Sequence, residues 1–131
     1  MDELPIRTGD DVVRVRQQTR VAAADCGLSL VDQTKLITAA SELARNTLIH
    51  GGGGSARIEV VKSGNGRSGV KVAFADSGPG IADKELALTD GWTSGNGLGL
   101  GLSGARRLVD EFELTSEPGA GTSVVVVKWS R

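Results

Sequence analysis

Val70-Lys71-Val72-Ala73-Phe74-Ala75-Asp76-Ser77-Gly78-Pro79-Gly80 decides how this chain is read. Residues 70–76 alternate in polarity, so Val70, Val72 and Phe74 point to one side as a half-buried strand requires. Asp76 follows that run directly, which places a carboxylate at the rim of the interior. Gly78 and Gly80 lack a Cβ and let the backbone approach a flat ligand closely. The same residues also fit a plain Asx turn closed by glycine.

Working outward, residues 56–63 read as a second strand, and 64–69 (Gly-Asn-Gly-Arg-Ser-Gly) as the turn of a hairpin. Phe112–Glu117 and Thr122–Trp129 read as a closing hairpin around 118–121 (Pro-Gly-Ala-Gly). Residues 3–8 suit a short edge strand. Asp10 is placed to cap a helix running to about Asp25, with Gly27 as its terminator. Ser29, three residues before Asp32, opens a second helix ending at His50. Its apolar stripe comprises Leu36, Ile37, Ala40, Leu43, Ala44, Thr47 and Leu48. A short helix near 83–88 and another over about 98–111 complete the order β-α-α-β-β-loop-α-β-β. Hairpin-linked strands predict an α/β fold: a two-layer sandwich with a mostly antiparallel, mixed sheet and helices on one face. No linker or repeat divides residues 1–131, so one domain is expected.

Composition narrows the function. The 131 residues are 39% hydrophobic and 24% charged, with a net charge of −1. That balance offers no basic surface for nucleic acid and no reason to seek an anionic membrane. One cysteine, Cys26, rules out an intrachain disulfide framework and reads as a small buried residue. The acidic start, Met1-Asp2-Glu3-Leu4-Pro5, lacks the basic and apolar regions of a signal peptide, so a cytoplasmic location is expected. Glycine is the outlier, at 19 residues where ~7% is usual. The glycines cluster at 51–54, 64–69, 78–80 and 91–104, between good helix and strand sequence, which marks functional loops.

Two further motifs carry chemistry. In Glu42-Leu43-Ala44-Arg45-Asn46, Glu42 and Asn46 are spaced i, i+4 and share a helical face, expected to lie roughly opposite the apolar stripe. An amide oxygen suits Mg²⁺, which keeps several waters and takes few protein ligands. A carboxylate beside it suits a general base. The bland reading of this pair is a solvated helix face. Gly95-Asn96-Gly97-Leu98-Gly99-Leu100-Gly101 leads into a helix, where exposed backbone N–H groups bind phosphate. Gly99, Gly101 and Gly104 match G-x-G-x-x-G, but no strand immediately precedes them, so a dinucleotide fold is rejected. Gly121-Thr122 alone reads as a hairpin turn, and His50 as a helix cap.

Taken together, Glu42–Asn46, Asp76–Ile81, Gly95–Gly101 and Gly121-Thr122 resemble the N, G1, G2 and G3 boxes of the gyrase, Hsp90, histidine-kinase and MutL ATPase superfamily. Order and spacing agree over positions 42–122. Within it, Val31-Asp32-Gln33, Ser41–Asn46, Asp90–Gly95, Arg107–Phe112 and Lys128-Trp129 resemble the small serine/threonine switch kinases of the bacterial stressosome. The resemblance implies the Bergerat ATP-binding fold, with ATP and Mg²⁺ as cofactors. It implies Glu42 as general base and Asn46 as magnesium ligand. Adenine and phosphates would fall to Asn46, Asp76, Gly78, Gly80, Ile81, Gly95, Gly97, Leu98, Gly99, Leu100, Gly101 and Thr122. It implies STAS-domain substrates and, downstream, a PP2C-type phosphatase. The glycine loop offers no Lys or Arg, so a charged contact to the γ-phosphate would come from elsewhere, with Arg45 or a partner as candidates. Two other readings stand: an anti-sigma factor that binds a sigma factor directly, and a non-catalytic, nucleotide-gated binding module. Glu42 weighs against the last, since binding alone needs no base.

Overall fold

The structure is a computed structural model that describes residues 3–78, 101–117 and 121–130. Five strands and three helices follow the chain: β1 (Glu3–Ile6), α1 (Gly9–Cys26), α2 (Leu30–Ile49), β2 (Gly54–Lys62), β3 (Ser68–Asp76), α3 (Gly101–Arg107), β4 (Glu111–Glu117) and β5 (Gly121–Trp129). The strands form one sheet in the order β1-β2-β3-β5-β4. Every pairing is antiparallel, so the expected mixed character is absent among the described strands. Hairpins account for β2–β3 and β4–β5, which reverse chain direction directly, while β1–β2 and β3–β5 reach the same antiparallel pairing through longer connections. The helix expected near 83–88 lies outside the described residues.

The pleat sorts the sheet by residue parity. Ala56, Phe74, Val124 and Leu114 stand in one row, and Ile58, Val72, Val126 and Phe112 in the next. These even-numbered positions turn inward, and Ile58, Val72, Phe74, Val124 and Val126 are buried. Helices α1 and α2 cover that face with Val12, Val15, Ala22, Leu36, Ala39, Ala40, Leu43 and Ala44.

Reciprocal hydrogen bonding decides the helix ends. Thr8, not Asp10, caps α1. The Asp11 N–H donates to Thr8 Oγ1 at 3.3 Å, and Asp11 Oδ2 accepts from the N–H groups of Arg7 and Thr8 at 2.9 and 3.1 Å. This reciprocal box satisfies more of the orphan helix donors than an Asp10 cap would. The Arg7 N–H bond leads the causes that hold the Asp11 carboxyl below its ordinary 3.8. Gly27 closes α1 in the left-handed conformation. Ser29 caps α2 as expected, accepting from the Asp32 N–H at 3.1 Å. Helix α3 stops at Arg107 rather than 111, because the Asp110 N–H turns to Val127 O at 2.9 Å and the chain enters β4.

Candidate nucleotide site

Strand β3 delivers Asp76 to the sheet end where α2 also finishes. Two backbone donors converge on its Oδ1: the Gly78 N–H at 2.9 Å and the Thr122 N–H at 3.2 Å. The first is the Asx turn visible in the sequence. The second reaches across 46 residues to the start of β5 and ties Gly121-Thr122 to this carboxylate. Among the described residues no donor meets Oδ2, which leaves one carboxylate oxygen to accept an N–H from a ligand.

Two glycines allow this arrangement. A Cβ on Gly51 would run into the Asp76 carboxyl group, and one on Gly121, held at φ +94°, would run into the Asp76 carbonyl oxygen. Any larger residue at either position would displace the acid. Gly51 is also the link to α2. Its N–H donates to the Asn46 carbonyl at 3.1 Å, and the Gly53 N–H donates to Thr47 O at 2.9 Å. Thr47 is buried and returns its own hydroxyl to Leu43 O at 2.9 Å. Gly51 therefore lies between the Asp76 carboxylate and the backbone carbonyl of Asn46.

Glu42 and Asn46 do not lie opposite the apolar stripe as expected. Both are half-buried, on its flank. The cause is helical geometry: Asn46 follows the buried Ala39 by seven residues, which returns it to within about 20° of the same direction. The Glu42 side chain is only 14% exposed, and its Oε1 lies 3.2 Å from Arg45 Nη1. Among the described residues the Asn46 side-chain amide makes no hydrogen bond. His50 caps α2, its N–H donating to Asn46 O at 2.9 Å. Cys26 is half-buried against the core, and that burial pushes its thiol up.

A cleft of about 450 Å³ opens at this end of the sheet, lined by Gly51–Gly54, Ser55, Ala75, Asp76 and Ser77. Ser55 and Ala75 belong to the odd-numbered, outward-facing set, and neither Glu42 nor Asn46 lines the cleft. The cleft includes Asp76 itself and Gly51, whose N–H is bonded to the end of α2.

The structure brings Glu42, Asn46, Asp76, Gly78 and Thr122 to one end of the fold. Gly101 begins α3. Gly80, Ile81, Gly95, Gly97, Leu98, Gly99 and Leu100 lie outside the described residues. Two participants were missed. Gly51 was signalled only by the four-glycine run after His50. Ser116, buried on β4, sits with its Oγ 3.1 Å from Thr122 Oγ1 and donates to Gly121 O at 3.3 Å. Among the described residues no three His, Cys, Asp or Glu side chains gather to cage a metal. An amide oxygen such as that of Asn46, completed by phosphate oxygens and waters, fits Mg²⁺, which is seldom held by protein ligands alone.

Residues 31–130 match the family of histidine kinase-, DNA gyrase B- and HSP90-like ATPases. The chain belongs to that family. It is 44% identical over 126 residues to the serine/threonine-protein kinase RsbT of Bacillus subtilis, covering 96% of this chain and 94% of that one. It is 34% identical over 122 residues to an anti-sigma F factor of Clostridium beijerinckii, covering 88% and 82% of the two chains. The fold resembles that in the crystal structure of the RsbU and RsbW domains of Rv1364c from Mycobacterium tuberculosis, with a TM-score of 0.64 and 23% identity. That match covers all of this chain and 33% of the longer one. The two-layer sandwich described above is thus the fold of an ATPase family. Among the described residues no helix is long and apolar enough to cross a membrane.

Proposed function

We propose that this chain is an ATP-dependent protein serine/threonine kinase acting on STAS-domain partners in the cytoplasm. The observation that carries the reading is the pairing, at one end of the fold, of a sheet-borne carboxylate with a spare acceptor and a helix-borne carboxylate and amide. The likeness to the Bacillus kinase over nearly the whole chain supports it.

In this reading Asp76 Oδ2 accepts a hydrogen bond from the exocyclic amine of adenine, while Gly78 and Thr122 hold the carboxylate in place. Asn46 presents its amide oxygen to Mg²⁺, which when bound would neutralise charge on the phosphates. Glu42 takes the proton of the acceptor serine or threonine hydroxyl. That oxygen attacks the γ-phosphorus, the bond to the β–γ bridging oxygen breaks, and ADP leaves. Arg45, which pairs with Glu42, is the candidate cation for the transferring group. The glycine run from Gly95 to Gly101, with Gly80 and Ile81, completes the site around the phosphates and the base. The phosphorylated partner would then free the kinase to engage a PP2C-type phosphatase. The relatives named as anti-sigma F factors favour a second reading, in which the same kinase binds a sigma factor directly.

The test is incubation with γ-labelled ATP, Mg²⁺ and purified STAS-domain proteins encoded by the same genome. Label should appear on serine or threonine of at least one of them, and chelating the Mg²⁺ should abolish it. ATP binding with no transfer to any STAS domain would instead favour a nucleotide-gated binding module. Co-purification with a sigma factor would support the second reading.

A further inference from the structure

Parity makes Val124, Val126 and Lys128 the inward-facing residues near the end of β5, so a lysine stands where the pattern calls for an apolar side chain. Its side chain is 5% exposed, with Nζ 3.4 Å from Asp110 Oδ1 and 3.7 Å from Asp32 Oδ1. Asp32 belongs to the first turn of α2, and Asp110 lies between α3 and β4. Asp110 is fixed in turn by the backbone, since its Oδ2 accepts from the Trp129 N–H at 2.8 Å and its own N–H donates to Val127 O at 2.9 Å. The lysine thus joins the start of α2 to the last strand and to the chain leaving α3.

Buried ion pairs seldom raise stability, because desolvation offsets their attraction, and their best-attested use is to specify register. The buried face of α2 mixes Leu36 and Leu43 with Ala39, Ala40 and Ala44, whose short side chains form shallow ridges, so the ion pair adds to the grip of the two leucines. Helix α2 carries Glu42 and Asn46, while their counterpart Asp76 belongs to the sheet.

We propose that Lys128 is a positioning residue for phosphoryl transfer, setting the axial position of α2 through Asp32 and thereby the places of Glu42 and Asn46 relative to Asp76. This rests on the reading of Glu42 as the base. Lys128 touches no reacting group, because Asp32 lies ten residues from Glu42, about 15 Å along the helix. A displacement of about 1 Å can cost on the order of 10²-fold in rate, so even a partial shift is measurable.

The test uses Asp32→Asn, which keeps the side chain's shape, leaves the Lys128–Asp110 pair in place and removes the charge that ties α2 to Lys128. At a temperature where circular dichroism reports a fully folded protein, kcat should fall about tenfold. Adenosine affinity, read at the sheet-borne Asp76, should fall less than kcat, because α2 reaches that carboxylate only through Gly51. Lys128→Arg, which keeps the charge between the two carboxylates, should retain the parental kcat. A folded Asp32→Asn protein with parental kcat would overturn the proposal. So would a parallel loss of kcat and adenosine affinity, which would mean general loosening. Glu42→Ala, run alongside, separates the two claims: if it transfers phosphate at the parental rate, the base assignment itself has failed.

Discussion

Glu42→Ala is expected to fold, bind Mg-ATP and capture its protein partner, yet transfer phosphate at no more than about 1% of the parental rate. Glu42 sits on the flank of α2's buried stripe, and its ion-pair partner Arg45 is 45% exposed. A pair so placed contributes little to stability. The catalytic loss is larger, since a general base typically supplies ~10²–10⁴-fold. Capture and transfer should therefore separate. In a pull-down with ATP present, the variant should stay on its partner while the parental kinase phosphorylates and releases it. Release has an electrostatic cause: a phosphoserine or phosphothreonine adds about −1.5 to −2 charges. That charge would arise beside the Glu42 carboxylate and the spent nucleotide's phosphates. A variant that transfers within tenfold of the parental rate would remove Glu42 from the mechanism. A parental kinase that stays equally bound after full phosphorylation would sink the release step alone.

Asp76→Asn should lose roughly one to two decades of ATP affinity while keeping the fold. The asparagine oxygen can still accept the Gly78 and Thr122 N–H groups, so the turn and the link to β5 survive. The other atom becomes an NH₂ and faces the exocyclic amine of adenine, donor against donor. Leaving a buried polar group without its partner costs about 1–3 kcal/mol, and 1.4 kcal/mol is one decade. Isothermal titration with ATP measures the loss. The same carboxylate should discriminate against GTP, whose guanine presents a carbonyl where adenine has the amine. Equal affinity of the parental protein for ATP and GTP would refute the role.

The sequence disclosed the elements more readily than their contacts. Alternation in 70–76 placed β3 and its inward residues, because a strand with one buried face must alternate. Helix α2 was legible from its stripe and from Ser29. The α1 cap was not, since Thr8, Asp10 and Asp11 are all plausible caps and only the reciprocal geometry selects Thr8. The flank position of Asn46 could have been found from its angular closeness to Ala39. The long-range features were hidden for a different reason. Gly51 beneath Asp76, Thr122 on Oδ1 and Lys128 between two aspartates each join segments far apart in the chain. Periodicity reports only which face a residue takes, not what it meets there. At Lys128 the pattern predicts burial and the residue type predicts exposure, and two carboxylates settle the conflict.

The central claim is that Asp76 on the sheet and Glu42 and Asn46 on α2 serve one nucleotide. The most direct measurement is a crystal structure with Mg²⁺ and a non-hydrolysable ATP analogue. The expected result has the adenine amine within hydrogen-bond distance of Asp76 Oδ2, the Asn46 amide oxygen on the metal, and the Glu42 carboxylate facing the γ-phosphate. An analogue whose adenine amine sits away from Asp76, or whose phosphates sit away from Asn46 and Glu42, would contradict it.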